Sequence, residues 1–213
     1  MSYDLNGASV YSATVLRPRI GRWTADIELA ADPISLDGPQ TLTLGSLVLT
    51  GSVARGGDWV GTRYVRLVGG TGGLSATASP RAYRNVPLSF VLSELLTEIG
   101  EAPSPKSDPL ASTVGQWVRL AGPASDALTE LATAAGMSWR VLADGTVWIG
   151  TDTYPAFTST STLLAELPDE GRSIYGETEP TIGPGVTIDS RRTDYVEHHI
   201  KASEIRSLVW WAQ

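Results

Sequence analysis

The 213-residue chain has no cysteine and only two histidines, and these shortages exclude several kinds of chemical site. Without cysteine the chain can form no disulfide, no thiolate zinc site and no cysteine nucleophile. His198 and His199 are neighbours, and neighbours on a strand point to opposite faces of the sheet. They therefore cannot bind one metal ion together, and solvated or core-edge positions are expected for both.

The chain also lacks an excess of positive charge and any long apolar run. Its formal net charge is -7 and its pI is about 4.8, so no basic stripe is available for phosphate groups. No apolar stretch approaches the ~20 residues of a membrane span, and the first residues have neither the basic nor the apolar region of a signal peptide. We therefore expect a soluble protein made in the host cytoplasm, with no membrane span and no sequence-specific binding of nucleic acid.

Glycine and proline are plentiful, with 22 and 13 copies, and they separate short segments of alternating apolar and polar residues. This pattern predicts a β-rich α+β fold with a barrel or sandwich first, an α/β portion in the middle and a second, smaller β-unit at the end. The expected domains are an N-terminal barrel-like unit at 1–75, a helix-containing portion at 76–150 and a C-terminal barrel-like unit at 151–213.

The α/β portion carries two amphipathic helices, each with proline before it and glycine after it. One helix is predicted after Pro87 and ends near Gly100, and the other is predicted after Pro123 and ends near Gly136. A hairpin with a two-residue turn at Asp144-Gly145 follows the second helix. The proline-rich residues 101–112 should form an exposed connector.

The search for catalytic and cofactor sites finds none. The glycine-rich turn at 69–73 has the flexibility of a phosphate-binding loop, but it lacks the required lysine and no helix opens behind it. Glu94 with Glu98, and Asp126 with Glu130, stand one helical turn apart, yet both pairs lie off the apolar face and are expected on exposed helix surface. We predict no catalytic residue, no metal and no cofactor.

The tryptophans are the candidate interface residues. Trp117 and Trp139 alternate with apolar neighbours and are predicted in the core. Trp148 points away from its two apolar neighbours, so it either packs under another layer or contacts a partner. Trp210 and Trp211 are consecutive on a strand and face both sides of the sheet, which favours an intersubunit contact. Trp148, Trp210 and Trp211 are therefore the predicted interface residues.

The order of these segments resembles the tail hub proteins of phages, of the late control protein D type. The resemblance lies in the strand and turn at 63–74 (RYVRLVGGTGGL), the helix end at 98–101, the strand, helix and hairpin at 117–150, and the strands at 196–199 and 206–210. It implies two small β-barrels related to the tail-tube subunit, and a homotrimer that imitates a six-subunit ring.

The resemblance implies a structural, non-enzymatic virion component at the tail tip or baseplate. It would link the tail tube, or a distal tail protein, to a separate spike or tip protein during genome ejection. The acidic balance suits a channel wall past which DNA slides, or equally an outer surface.

Two other functions remain open at this stage. One is a carbohydrate-binding module of a host-recognition appendage, with Trp59, Trp148 and a tyrosine as stacking platforms. The other is a small peptidoglycan hydrolase whose acid is Glu166, Asp169 or Glu170.

Overall fold

The computed structural model describes residues 3–30, 35–158, 161–201 and 204–212. The chain is mostly β-structure, with 54% of residues in strands and 14% in helices, and it contains two α-helices. The predicted β-rich α+β fold is confirmed. None of the helices in these ranges is long and apolar enough to cross a membrane.

The described residues form seventeen strands and two α-helices. The strands are β1 Tyr3–Leu5, β2 Ala8–Pro18, β3 Thr24–Ala30, β4 Gln40–Leu44, β5 Leu47–Trp59, β6 Thr62–Gly69, β7 Thr77–Ala78, β8 Arg81–Pro87, β9 Thr113–Arg119, β10 Gly122–Pro123, β11 Ser138–Val141, β12 Val147–Gly150, β13 Thr162–Leu167, β14 Arg172–Glu177, β15 Thr187–Ile188, β16 Arg191–Lys201 and β17 Glu204–Trp211. The helices are α1 Leu88–Glu98 and α2 Ala124–Ala134.

The first six strands form a closed barrel in the order β1-β4-β5-β6-β3-β2. The ring closes where Asp4 and Leu5 of β1 pair with Ser9 and Ala8 of β2. Every second side chain points inward, as the alternation in the sequence predicts. The buried interior includes Leu5, Val15, Ala25, Ile27, Leu29, Leu42, Leu44, Leu49, Val65 and Leu67.

The barrel continues directly into the C-terminal strands. The second half of β2 pairs with β16, and β17, β14 and β13 follow, so that one eleven-stranded sheet runs through the molecule. In the described residues the pairings of these C-terminal strands form an open sheet that ends at β13. This sheet has a separate small core of Tyr175, Ile182, Ile188, Val196 and Val209.

Two groups of four strands within the large sheet have the same layout. The first repeat has the order β5-β6-β3-β2, and the second repeat has the order β16-β17-β14-β13. In each repeat an early hairpin (β2–β3 or β13–β14) lies beside a later hairpin (β5–β6 or β16–β17), and all neighbours are antiparallel.

The β-bulges of the two repeats also coincide. The register shifts at Tyr11 in β2 and at Ala54 in β5, and it shifts at Leu164 in β13 and at Asp194 in β16. The pairings that start just after the bulge in β5 lead across the repeat to Thr14, three residues after the bulge in β2. Those that start just after the bulge in β16 lead to Leu167, likewise three residues after the bulge in β13. Because bulges are specific features of a sheet rather than accidents, the chain contains an internal structural repeat.

The α/β portion packs against the barrel, and both predicted helices are confirmed. Helix α1 begins after Pro87, helix α2 begins after Pro123, and Gly100 and Gly136 follow them with φ of 72° and 68°. These positive φ values suit glycine, which has no Cβ. The buried faces contain Leu88, Val91, Leu92, Leu95 and Leu96 in α1, and Ala124, Leu128, Leu131 and Ala132 in α2.

Two local predictions in this portion are wrong. The hairpin β11–β12 turns through three residues, because the amide of Leu142 still donates to the carbonyl of Thr146 at 2.9 Å. The connector at 101–112 is not exposed throughout, since Glu101 and Ser104 are 4% and 5% exposed. The amide of Ser104 donates to the carbonyl of Val147 at 2.8 Å, so the connector satisfies backbone groups at the edge of β12.

Candidate assembly surface

The two repeats present one continuous surface to solvent, which we call the open face. Following the strand pairings, Arg55, Arg66, Asp26, Thr14, His199 and Arg206 stand side by side in one row. A second row contains Gly57, Tyr64, Glu28, Ser12, Lys201 and Glu204. The alternate side chains of the same strands point into the cores, so the open face is the solvent side of the eight-strand layer.

Charges of opposite sign are interspersed on the open face. Arg66 binds Asp26 with two hydrogen bonds of 2.7 and 2.5 Å, and Ser12 donates to Glu28 at 2.6 Å. On β16, the Nε2 atom of His199 lies 3.0 Å from the Oε1 atom of Glu197. Exposed pairs of this kind add little stability, but they leave no one-sign patch that would hold a polyanion tightly.

An aromatic cluster occupies the open face near its C-terminal end. Tyr195 and Trp210 stack with ring centroids 4.1 Å apart at 11°, and the Arg172 guanidinium lies 5.5 Å from the Trp210 ring. The guanidinium of Arg191 lies over the ring of Trp211, 3.8 Å from the ring centroid. Both tryptophans are half-buried, so each retains area for a further contact, and their role at an interface stays a prediction.

Trp148 is covered within the chain. Its ring lies under the Arg140 guanidinium at 3.9 Å, its Nε1 donates to the carbonyl of Lys106 at 3.0 Å, and it is 9% exposed. Of the two placements left open by the sequence, the structure has the covered one, which leaves little area for a partner. Trp139 is confirmed in the core at 3% exposure, whereas Trp117 is half-buried and stacks on Tyr83 at 5.6 Å.

An ion-pair network holds the α/β portion against the strands that join the two repeats. Asp152 accepts hydrogen bonds from Arg19 at 2.9 Å and from Arg140 at 2.6 Å, and Arg19 also donates to Asp194 at 3.0 Å. Burial would raise the pKa of Asp152, but the hydrogen bonds from Arg140 and Arg19 outweigh it and lower that pKa. The network links the end of β2, the hairpin strand β11 and the start of β16.

A buried polar cluster lies inside the second repeat, around the carboxylate of Glu177. Ser207 donates to it, the amides of Thr181 and Ile182 donate at 3.0 and 3.2 Å, and His198 Nδ1 lies 3.5 Å away. Burial would raise the pKa of Glu177, but hydrogen bonds from His198, Ser207 and Thr181 lower it to about 2. The pKa of His198 is lowered, first by burial and then by the charge of Arg17, despite the nearby Glu177.

This cluster contains serine, histidine and a carboxylate, but its arrangement is not that of a hydrolase. His198 and Ser207 are both 0% exposed, and the Ser207 hydroxyl is engaged with Glu177. A substrate cannot reach the hydroxyl, so the cluster is a structural element of the second repeat. The prediction that His198 and His199 face opposite sides is confirmed, but the expected solvated or core-edge position is wrong for His198, which is fully buried. Nothing in the local pattern indicated that Glu177 and Ser207 would join His198.

The glycine-rich turn and two of the three candidate acids make contacts within the chain. The amides of Thr71 and Leu74 in the glycine-rich turn donate to the Glu101 carboxylate at 3.0 and 3.3 Å, so this turn binds the chain's own anion. Glu166 accepts a hydrogen bond from Arg191 at 2.8 Å, and Glu170 pairs with Arg172. Within the described ranges, no group of three or more histidine, aspartate or glutamate side chains is placed to hold a metal ion.

Two free edges bound the open face. Within the described ranges, the outer half of β5, from Ser52 to Trp59, pairs with β6 on one side only, because β4 ends its pairing at Gly51. At the opposite end β13 pairs with β14 only, as far as the described residues show. These edges could not be predicted from the local pattern, because each depends on where a distant strand stops pairing.

Large apolar side chains are exposed along both edges. Trp59 and Val60 at the tip of the β5–β6 hairpin are 72% and 87% exposed, and Leu163 and Leu164 on β13 are 45% and 54% exposed. Val60 has a φ of 48°, which a β-branched residue rarely adopts. Exposed apolar groups on unpaired strands are typical of surfaces that bind another chain.

The fold is that of tail proteins from phages and secretion systems. The whole chain aligns with 77% of a type VI secretion system component of Escherichia coli, itself described as structurally similar to the bacteriophage T4 tail proteins gp27 and gp5, with a TM-score of 0.74 and 11% identity. It also aligns over 98% of its length with 97% of a 43 kDa tail protein of prophage MuSo2 from Shewanella oneidensis, with a TM-score of 0.72 and 11% identity. A tail protein of Neisseria meningitidis gives a TM-score of 0.66 at 12% identity, over 98% of this chain and 96% of that one.

No protein family and no curated protein matches the sequence itself. At these identities the likeness establishes a shared fold, and the function has to be argued from the surface.

Proposed function

We propose that the chain is a structural, non-enzymatic hub protein of a phage or phage-like tail. Three copies form a ring at the distal end of the tail tube and adapt its six-fold symmetry to a three-fold spike or tip. The observation that carries the proposal is the internal repeat, in which two four-strand units with matching bulges join edge to edge in one chain. The shared fold with tail proteins supports it.

The repeat explains how one chain stands in for two ring members. β2, the last strand of the first repeat, pairs with β16, the first strand of the second repeat. Such a head-to-tail contact continues in one direction and closes into a ring when the rotation allows it. Three chains with two repeats each supply six equivalent positions.

In this proposal the open face lines the channel of the ring. Its interspersed charges avoid a continuous basic stripe, so DNA passes without strong attachment. The proposed domains at 1–75 and 151–213 then form the ring, and the portion at 76–150 lies outside the channel wall. The tail tube or a distal tail protein binds one side of the ring, and a separate spike or tip protein binds the other.

Sedimentation analysis with electron microscopy of the purified chain tests the proposal. The expected result at micromolar concentration is a trimer that appears as a ring with a central opening. A compact monomer with no tendency to associate would refute the proposal.

One observation favours a carbohydrate-binding module as a second candidate. Trp59 is 72% exposed and Tyr64, on the other strand of the same hairpin, is 44% exposed, so both rings are available for stacking on a sugar. Trp148 is covered and does not contribute such a platform. Glycan-array binding that Trp59→Ala abolishes, by a protein that remains monomeric, would establish this candidate instead.

A further inference from the structure

We propose that a small pocket, where the two repeats meet the α/β portion, binds a single oxyanion group, a carboxylate or a phosphate. The pocket has a volume of about 210 Å³ and lies between the end of β2, the hairpin strand β11 and the loop before β15. Sites for drug-sized ligands measure about 300–1,000 Å³, so this pocket suits one charged group and a few waters. The inference does not depend on the proposed ring.

Arg17 is the main observation, because it is a partly buried charge without a carboxylate partner. Burial lowers the pKa of Arg17 to about 10, and the charge of Glu177 opposes this shift while that of Arg140 adds to it. In the described part of the chain Arg17 makes no ion pair, and its one hydrogen bond, from Nη1 to the carbonyl of Ile182, is long at 3.5 Å. Since a guanidinium has five N–H donors, most donors of Arg17 are left for a ligand or for water.

The carboxylates near the pocket already have partners. Glu177 accepts hydrogen bonds from the polar cluster of the second repeat. Asp152 and Asp194 balance the two arginines of the ion-pair network. None of the described residues that line the pocket is acidic. The charge of Arg17 is therefore not balanced by an ion pair within the described ranges, and the pocket attracts an anion.

Arg140 gives the pocket a second guanidinium group. Its Nη1 donates to Asp152 at 2.6 Å, and its guanidinium lies 3.9 Å from the centroid of the Trp148 ring. These two contacts hold the group in place. Its hydrogen bonds to described residues all come from Nη1, so Nη2 remains available to a ligand.

The two guanidinium groups border the same short loop. A Cβ built on Gly183 would lie 3.6 Å from Nη2 of Arg17, and one built on Gly185 would lie 3.7 Å from Nη1 and Nη2 of Arg140. Pro184, between the two glycines, lines the pocket. Arginine groups that converge in this way suit a carboxylate or phosphate, whose oxygens accept parallel hydrogen bonds from the planar fork.

The remaining wall of the pocket is mostly apolar. Trp23, Val141 and Leu142 line it, and the indole N–H of Trp23 donates to the carbonyl of Leu142 at 3.2 Å. A hydrogen bond to an ionised group is stronger in such surroundings than in water. An oxyanion is therefore bound more firmly here than by an arginine on the open face.

Titration calorimetry of the full chain tests the site, with sodium phosphate and with sodium acetate at an ionic strength held constant by sodium chloride. We expect saturable binding. Arg17→Met should weaken it about tenfold to a hundredfold, the range of a hydrogen bond to a charged group. Arg55→Met, which changes an exposed arginine of β5, is the matched control and should bind like the parent. Binding of acetate as well as phosphate would support a carboxylate from a protein chain as the ligand, and binding of phosphate alone would support a phosphate.

Thermal melts distinguish a ligand-binding arginine from a structural one. In chloride, Arg17→Met should melt at or above the temperature of the parent, because the variant lacks an unbalanced charge. In phosphate, the parent and Arg55→Met should gain stability and Arg17→Met should not. Phosphate also stabilises proteins by exclusion from their surface, so the variants are compared in the same buffer.

Three results would overturn the inference. The first is a parent chain that binds neither phosphate nor acetate. The second is equal binding by the parent and Arg17→Met. The third is a large loss of stability of Arg17→Met in chloride, which would make Arg17 a structural group of the chain.

Discussion

The two repeats have the same strand layout but different interiors. The first is closed by β1 and β4 into a barrel filled with leucine, valine and isoleucine, whereas the second has five buried apolar residues and a buried polar cluster. At one pair of equivalent positions the first repeat has Asp58 opposite Arg63, with the Asp58 side chain 55% exposed, and the second has His198 opposite Ser207, both fully buried.

The reason for the difference is the neighbouring strand. β16 has β2 on one side and β17 on the other, so its inward side chains are enclosed. Among the strands that the structure describes, the outer half of β5 has a neighbour on one side only, and the Asp58 carboxylate at the same place is exposed. Equivalent backbone positions therefore have different side chains because the strands beside them differ.

The largest expected effect comes from removing the carboxylate at the centre of the polar cluster. Glu177→Ala leaves Ser207 and the amides of Thr181 and Ile182 without their acceptor, and should lower the free energy of unfolding by about 3–5 kcal/mol. Asp26→Ala, which breaks an exposed ion pair of the first repeat, should cost below about 1 kcal/mol. Urea unfolding of both variants measures the difference, and equal losses would refute the contrast between the repeats.

The second effect is a loss of stability in acid, to which Glu177 and His198 of the second repeat contribute alongside Glu98 of α1, whose pKa is also lowered to about 2 by hydrogen bonds from Ser79 and Arg119. Below pH ~6.5 the unfolded chain protonates His198 while the buried ring stays neutral, because its folded pKa is lowered. Glu177, with a folded pKa of about 2, then loses its contribution between about pH 4.5 and 2. Protonation of Glu177 should lower the free energy of unfolding by about 2–3 kcal/mol.

Thermal melts between pH 7 and 3 check this dependence. Glu177→Gln should flatten the curve below pH ~4.5, since the titrating carboxylate is gone. Asp26→Asn, on the open face of the first repeat, is the matched control. Its stability should fall in acid as steeply as that of the parent protein. A parent protein with constant stability down to pH 4 would contradict the lowered pKa values.

A smaller effect compares Trp210 with its counterpart in the first repeat, Arg66. Trp210→Ala removes the stack on Tyr195 and should cost about 1–2 kcal/mol of folding stability. Arg66→Ala removes a surface pair and should cost below about 1 kcal/mol. If Trp210 is an interface residue as predicted, Trp210→Ala also weakens the trimer in sedimentation runs where Arg66→Ala does not.

The smallest expected effect on folding belongs to Trp59. Trp59→Ala should change the stability of the isolated chain by less than about 0.5 kcal/mol, because the ring is 72% exposed. The same change should weaken trimer assembly at least tenfold, measured by sedimentation at several concentrations. Phe90→Ala, at 54% exposure on α1, should leave both quantities unchanged. Equal effects of the two variants on assembly would argue against a contact at the β5 edge.

Local pattern was enough to predict most of the secondary structure. Proline before and glycine after each apolar stripe predicted both helices, and alternation predicted β2 and β3 of the first repeat and β16 and β17 of the second, but not β14. The three-residue turn was not predicted, because the last backbone hydrogen bond of the hairpin joins Leu142 to Thr146 and leaves three residues in the loop instead of two. The burial of Glu101 was not predicted, because its partners, the amides of Thr71 and Leu74, lie about thirty residues earlier in the chain.

The sequence by itself determined the β-rich composition, the two helices, the lack of any cysteine chemistry and the opposite facing of His198 and His199. Only the tertiary structure decided that Trp148 is covered by Arg140, that Glu177 meets His198, and that two four-strand units repeat with matching bulges. The physical reason is how far apart along the chain the residues that decide each feature lie. Side-chain direction along a helix or strand follows from neighbours in the chain, whereas strand order, register and burial depend on partners that only the folded chain brings together.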